Sequence, residues 1–352
     1  LAGERKTKVL IVDDSAIVRK LLAECLASEP DLEVVGTAPD PFIARDKILS
    51  LRPDVLTLDL EMPRMDGLTF LKKLMRFHPM PVVVISSLAQ ASSKTAIEAL
   101  QCGAVEVLGK PGGPYSVGEL KRDLPLKIRA AAQARMAHRS SEPAAPQKPT
   151  ALIPAHAINP SAIIAIGAST GGTEAIREVL IRMPVTSPGI VVVQHIPAVF
   201  SNAFANRLND LCQVGVKEAA DGDRVLPGQV LIAPGNFHMT LKKRGGEYRV
   251  AVHDGERVCY QRPSVDVLFD SVAEVAGADA IGAILTGMGA DGAEGMLRMK
   301  RAGARTFAQD EASCVVFGMP REAIRMGAVD RVLPLDRIAD ELLALSSVAV
   351  HR

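Results

Sequence analysis

The sequence predicts two α/β domains, each built around a parallel, doubly wound sheet. Three observations predict it. Short apolar runs alternate with amphipathic stretches between residues 8 and 108, the pattern of strands joined by crossover helices. A segment rich in Pro, Ser and Ala, 139–150 (RSSEPAAPQKPT), lacks apolar periodicity and looks like a linker, extended where prolines cluster. Past it the alternation resumes with different motifs. The length of 352 residues agrees, because domains of ~100–200 residues would make two.

The elements follow in order. In the first domain 8–12 (KVLIV) is a buried-strand run, and 17–26 carries apolar residues at helical spacing. The runs 33–37, 55–58, 81–85 and 105–108 complete five strands, with helices near 42–49, 68–75 and 95–100 between them. A last helix, 120–137, is rich in Ala and Arg. The second domain opens with the strand 162–166, a helix pattern from Thr173 and the strand 190–193. The strand 230–233 follows, and 239–242 and 248–252 flank Gly245-Gly246 as a hairpin. A strand at 280–285, a helix near 293–301 and a closing helix at 335–345 end the chain. The expected boundaries are 1–129 for the first domain, 130–158 for a helical and Pro-rich linker, and 159–352 for the second domain.

Composition narrows the function. Hydrophobic residues at 48% and charged residues at 23% exclude a mainly disordered chain. Lys+Arg 41 against Asp+Glu 40 leaves a net charge of +1, and aromatic content is 3% with no Trp. Neither a nucleic-acid partner nor an anionic membrane is called for. No apolar run reaches the ~18–20 residues that span a bilayer, and the charged opening LAGERKTK is not a secretion signal. Five scattered cysteines with no C-x-x-C fit reduced thiols in a cytoplasm. The basic stretch 121–139 fits a solvated helix face better than a partner site.

The first candidate site is acidic. Asp13 and Asp14 follow the first strand, Asp59 ends the third, Ser86 and Ser87 follow the fourth, and Lys110 follows the fifth. Open α/β sheets bind ligands outside the carboxyl ends of their strands, so the fold would gather these residues in one cleft. Any one aspartate alone would be an ordinary helix N-cap; the set at matching strand ends points to chemistry. Clustered carboxylates repel unless a cation neutralises them, and Mg²⁺ suits few carboxylates with retained waters. A carboxylate can also attack phosphorus, with Lys110 and a hydroxyl binding the phosphoryl oxygens.

The segments VLIVDDS, LTLDLEMPRMDG, VVVISS and GKP resemble the receiver domain of two-component response regulators over about residues 7–129. The resemblance implies a flavodoxin-like, five-stranded parallel sheet. It also implies that Asp59 is phosphorylated by a histidine kinase, and that Asp13, Asp14, Asp59 and the backbone carbonyl of Glu61 hold Mg²⁺. Ser86 would be the switch hydroxyl and Lys110 the phosphate-contacting lysine. Receivers often carry an aromatic three residues before that lysine; here Val107 stands there.

The second candidate site is a serine. Gly167-Ala168-Ser169-Thr170-Gly171 fits G-x-S-x-G between a strand and a helix, the context of a nucleophile elbow. Backbone N–H groups at the helix start can stabilise an oxyanion. A phosphate-binding glycine loop competes, but Ser169 occupies the third glycine position of the dinucleotide fingerprint and no Walker lysine follows. His195, just past the next strand, is the positional choice for a base, with His238 after APGNF the alternative. Asp291 in LTGMGADG is the positional choice for an orienting carboxylate, ahead of Asp266, Asp310 and Asp254. The order Ser, His, Asp differs from the Ser, Asp, His of α/β-hydrolases.

IGASTGG, QHIP, APGNFHM, RPSVDVLF, LTGMGADGAEGM and AQDEASCVVFGMP, spanning about 162–320, resemble the catalytic domain of the chemotaxis methylesterase family. Together with the first domain this resembles a chemotaxis response regulator that is a protein-glutamate methylesterase and protein-glutamine glutaminase. The resemblance implies Ser169 as nucleophile, His195 as base and Asp291 as its orienter. Thr170 and Met288 would line the site, Met288 giving a backbone N–H to the oxyanion. It further implies a second domain without a cofactor, cytoplasmic chemoreceptor segments as substrate, and a monomer whose receiver controls access to Ser169. Ile196 stands where the family often has Met. Two other classes compete. A receptor-docking module without catalysis would not need Ser169, His195 and Asp291, and a DNA-binding regulator would need a basic recognition helix after the linker.

Overall fold

The structure is a computed structural model that describes residues 5–87, 90–110, 112, 117–136, 159 and 161–346. It divides into two compact units, Leu1–Glu142 and Pro143–Arg352.

The first unit alternates β1 (Thr7–Val12), α1 (Ala16–Ala27), β2 (Leu32–Ala38), α2 (Pro41–Leu51), β3 (Val55–Asp59), α3 (Gly67–Phe77), β4 (Val82–Ser86), α4 (Gln90–Gln101), β5 (Glu106–Gly109) and α5 (Val117–Ala132). The strands are parallel in the order β2-β1-β3-β4-β5. Both faces of this sheet are covered, so β3 and β4 are buried along their whole length and appear in sequence as unbroken apolar runs. Strand order reverses between β1 and β3, which places Asp13 and Asp59 at the crevice this topology opens.

The last helix differs from expectation. It ends at Ala132 rather than running to residue 137, because Gln133 N–H and Ala134 N–H reach back only three residues, to Ala130 O and Ala131 O, and close a tightened final turn. Three of its basic side chains are engaged within the unit: Arg122 pairs with Asp123, Lys127 with Glu106, and Arg129 with Glu29 and Asp31. The Pro-rich segment 139–150 lies outside the described residues.

The second unit is larger. Its strands are β6 (Ile163–Ala168), β7 (Gly189–Gln194), β8 (Gly215–Glu218), β9 (Gln229–Ile232), β12 (Ala280–Ile284), β13 (Arg305–Gln309) and β14 (Arg331–Leu333), parallel in the order β14-β13-β12-β6-β7-β9-β8. A separate antiparallel hairpin, β10 (His238–Arg244) with β11 (Glu247–His253), packs on α8 (Val265–Ala276). The helices α6 (Gly172–Leu180), α7 (Ala198–Leu211), α9 (Ala293–Arg301), α10 (Met319–Arg325) and α11 (Leu335–Ser346) complete the unit. Apolar side chains of β6, β7, β9, β10, α8 and α9 share one core, including Val191, Leu231, Met239, Phe269 and Met296. The sequence reading did not anticipate β8, β13 and β14. GVKE and RVL are short, largely solvated edge segments, and RTFAQ interrupts its apolar run with Thr and Gln. Among the described residues no helix is long and apolar enough to cross a membrane.

Candidate functional site

In the first unit Asp13, Asp14 and Asp59 each bring a carboxylate oxygen within 4.8 Å of the others. Asp13 and Asp59 are fully buried, whereas Asp14 is exposed. Lys110 Nζ donates to Asp59 Oδ2 at 2.7 Å and lies 3.2 Å from Asp13 Oδ2. Burial pushes the Asp59 carboxyl up to about 6 against the pull of Lys110, and it raises Asp13 as well. Burial also works against the charge of Lys110, but Asp59 and Asp13 outweigh it and hold the ammonium above the ordinary lysine range. Glu61 N–H donates to Asp59 Oδ1 at 3.1 Å, and Lys110 N–H donates to Ser86 O at 2.7 Å. Asp14, Glu61 and Ser86 line one open pocket. Asp13, Asp14, Asp59, Glu61, Ser86 and Lys110 therefore meet at one end of the sheet.

A hard divalent cation fits this cluster. Its donors are oxygens, and Asp13 Oδ2 is buried without a hydrogen bond although it ion-pairs with Lys110. Val107 is buried in β5 opposite Val84, so a rotamer swing of an aromatic between core and solvent has no counterpart at this position.

In the second unit β6 lies between β12 and β7, at the point where strand order reverses. Ser169 follows β6, His195 follows β7, and Asp291 lies beyond β12, so three adjacent strands deliver them to one crevice. The register sets Ala168 opposite Gln194, and His195 N–H bonds Ala168 O at 3.1 Å. The left-handed residue of the turn is Gly171 (φ 77°) rather than the serine, and a Cβ there would meet Val315 Cβ at 2.6 Å. Gln194 Nε2 donates to Ser169 O at 2.9 Å and locks the turn to β7.

His195 Nε2 lies 2.7 Å from Asp291 Oδ2. A carboxylate accepts only, so Nε2 carries the proton and Nδ1 keeps its lone pair. Nδ1 is buried and has no hydrogen-bond partner. Ser169 Oγ forms no hydrogen bond among the described residues, and catalytic hydrogen bonds often tighten only once substrate is bound. Asp291 accepts three further bonds, from Ser264 Oγ at 2.7 Å, Val265 N–H at 2.7 Å and Asp266 N–H at 3.1 Å. Burial alone would raise this carboxyl; the donors from His195, Ser264 and Val265 outweigh it and hold the group below the usual carboxylate range.

The loop after β12 approaches Ser169 closely. A Cβ on Gly287 would lie 2.8 Å from Ser169 Cβ. The next residue, Met288, is half-buried, and its N–H donates no hydrogen bond among the described residues. Thr170 is buried, and its carbonyl accepts from Thr286 Oγ1 at 2.9 Å. This is the equipment of acyl transfer: a serine, a histidine held in one tautomer, a carboxylate and backbone donors at a helix start.

Comparison with known proteins identifies the family. The family model "CheB methylesterase" matches residues 164–342 and the model "Response regulator receiver domain" matches 9–119. A protein-glutamate methylesterase/protein-glutamine glutaminase of Syntrophus aciditrophicus is 58% identical over 340 residues, covering 97% of this chain and 99% of the relative. The chain belongs to the CheB methylesterase family. A protein of the same name from Escherichia coli K12 is 53% identical over 341 residues, covering 96% of this chain and 97% of that one. The crystal structure of the Thermotoga maritima CheB methylesterase catalytic domain is 41% identical and superimposes with a TM-score of 0.51, over 52% of this chain and 98% of that one.

Within this family framework the structure separates the competing side chains. Asp310 accepts from Ser313, Asp254 accepts from Arg262 and Gly255 N–H, and neither meets His195. Asp266 is buried beside Asp291, and its Oδ1 accepts Gly295 N–H at 2.7 Å. Sequence reasoning missed Ser264, whose hydroxyl both caps α8 and holds Asp291. Its signal was present in RPSVDVLF, a serine directly before an amphipathic run.

Asp266 yields a prediction with a definite sign. Burial, with the Asp291 charge close by, raises its carboxyl from 3.8 to about 6. A folded value above the unfolded one means that the ionised form opposes folding, so stability is lost as pH rises from about 4 to 6. Asp266→Asn keeps the acceptor for Gly295 and removes the charge. The variant is expected to be about 1–2 kcal/mol more stable than wild type at pH 8, with no advantage below pH 4, as read by urea unfolding at both values.

Proposed function

We propose that this chain is a phosphorylation-activated serine hydrolase. It demethylates glutamate methyl esters and deamidates glutamines on cytoplasmic segments of chemoreceptors. The observation that carries the reading is the 2.7 Å bond from His195 Nε2 to Asp291, which leaves Nδ1 as a base at the strand end beside Ser169. Full-length relatives named protein-glutamate methylesterase/protein-glutamine glutaminase support the substrate.

Ser169 Oγ attacks the ester carbonyl while His195 Nδ1 takes its proton, and Asp291 stabilises the imidazolium. The oxyanion is met by the Met288 N–H and by N–H groups at the start of α6, beside Thr170. The imidazolium returns its proton to the departing methoxide, methanol leaves, and an acyl-serine remains. Water then attacks with His195 again as base, giving glutamate and free Ser169. Deamidation follows the same path with ammonia leaving.

The receiver spans 1–129, a linker 130–158 and the catalytic domain 159–352. Asp59 accepts the phosphoryl group from a histidine kinase. Asp13, Asp14, Asp59 and the Glu61 carbonyl would hold Mg²⁺, which when bound supplies charge neutralisation at the phosphoryl oxygens. Lys110 and Ser86 contact the phosphoryl group. Phosphorylation shifts an interdomain equilibrium that governs access to Ser169. One chain carries every residue of both sites, which supports a monomer, and five free cysteines suit the cytoplasm.

The test is methanol release from methylated receptor by wild type, Ser169→Ala and Asp59→Asn, each with and without a small phosphodonor. Wild-type release should rise with phosphodonor, vanish in Ser169→Ala and lose its response in Asp59→Asn. No release from any receptor, with phosphate still accumulating on Asp59, would sink the esterase reading and favour a receptor-docking module.

A further inference from the structure

His238, the alternative base in the sequence, plays no part in the chemistry above, yet it is almost wholly buried at the start of β10. Its two nitrogens have different partners. Nε2 lies 2.8 Å from Glu256 O, and a carbonyl only accepts, so Nε2 carries the proton. Nδ1 then bears a lone pair and accepts Ser264 N–H at 3.3 Å. Only the neutral ring with its proton on Nε2 satisfies both contacts; an imidazolium would set a second N–H against that of Ser264. Burial favours the same neutral form.

Ser264 is the first of three consecutive residues that grip Asp291. Its Oγ and the N–H groups of Val265 and Asp266 all donate to that carboxylate. The Ser264 backbone is therefore the hinge of the grip, and His238 fixes it from outside the seven-stranded sheet, on the separate β10–β11 hairpin. We infer that His238 is a positioning residue, a fixed neutral imidazole that orients the Asp291–His195 pair by holding the Ser264 backbone. The inference rests on the serine-hydrolase reading of Ser169, His195 and Asp291, and not on the identity of the substrate.

Two variants of similar size separate positioning from packing. His238→Gln can place its amide N–H where Nε2 sits and keep the bond to Glu256, but loses the acceptor for Ser264. His238→Asn can place its carbonyl oxygen where Nδ1 sits and keep the Ser264 bond, but loses Glu256. Two rates are measured on the full chain: labelling of Ser169 by a fluorophosphonate, which needs no receptor, and methanol release from methylated receptor. Misplacement of a catalytic group by about 1 Å can lower a rate by about 100-fold. His238→Gln is expected to lose about tenfold in both labelling rate and kcat with KM within about twofold, and His238→Asn to stay within about threefold of wild type. Melting temperatures of the two variants should not follow that ranking. Equal losses in the two variants, losses that follow melting temperature, or wild-type labelling by His238→Gln would overturn the inference. If no receptor is hydrolysed, labelling still decides it, so failure of the substrate assignment stays distinct.

Discussion

Asp291→Asn is expected to lower kcat for methanol release by about 10⁴-fold while leaving the protein folded. The carboxylate receives four donors, His195 Nε2 and Val265 N–H on Oδ2 and Ser264 Oγ and Asp266 N–H on Oδ1. An asparagine offers one acceptor oxygen and one NH₂. If the oxygen faces His195, the NH₂ opposes Asp266 N–H. If the amide flips, the NH₂ opposes Val265 N–H and drives His195 toward the wrong tautomer, with the proton on Nδ1 where the base must be. Either arrangement also removes the charge that stabilises the imidazolium. The measurement is single-turnover methanol release, with circular dichroism to confirm folding. A loss of less than tenfold would mean that Asp291 is a structural cap of α8 and that His195 works without it.

Lys110→Ala carries the largest expected effect on stability. Lys110 joins two carboxylates that solvent does not reach, Asp13 and Asp59, at 3.2 and 2.7 Å. Removing one partner of a buried ion pair costs about 3–5 kcal/mol, because the remaining charge is left uncompensated. Lys110 is itself 19% exposed, so water can partly replace it. The expected loss is about 2–4 kcal/mol in unfolding free energy at neutral pH. A divalent cation bound to the same carboxylates would supply the missing charge. Millimolar Mg²⁺ should therefore raise the unfolding midpoint of Lys110→Ala more than that of wild type. An equal shift in the two proteins would argue that the cation does not bind at Asp13 and Asp59.

The legibility of the two sites differed for physical reasons. A parallel sheet buried on both faces writes its strands as unbroken apolar runs, and its ligands gather where those runs end. Asp13, Asp59, Lys110, Ser169 and His195 could thus be placed by counting to the end of a strand. Helix α5 was traced too far because Ala and Arg continue past the point where the hydrogen-bond ladder tightens at Gln133. β13 and β14 escape the pattern because β13 breaks its apolar run with Thr and Gln, and β14, three residues pairing only with β13 at the sheet edge, carries little pattern of its own.

By itself the sequence determined which residue types stand at which strand ends, and so the two chemistries available: a carboxylate cluster beside a lysine, and a serine with a histidine and an aspartate to choose among. Only the tertiary structure shows how those candidates are arranged. His195 and His238 are both buried histidines past apolar runs, and Asp291 and Asp266 are both buried carboxylates, joined by the bond from Asp266 N–H to Asp291. What separates them is which nitrogen faces which acceptor, and which carboxylate the start of α8 grips. Those facts depend on contacts such as the 2.7 Å bond between His195 and Asp291, 96 positions apart in the chain. Periodicity reports only how a residue sits on its own element; hydrogen-bond direction is set where elements meet.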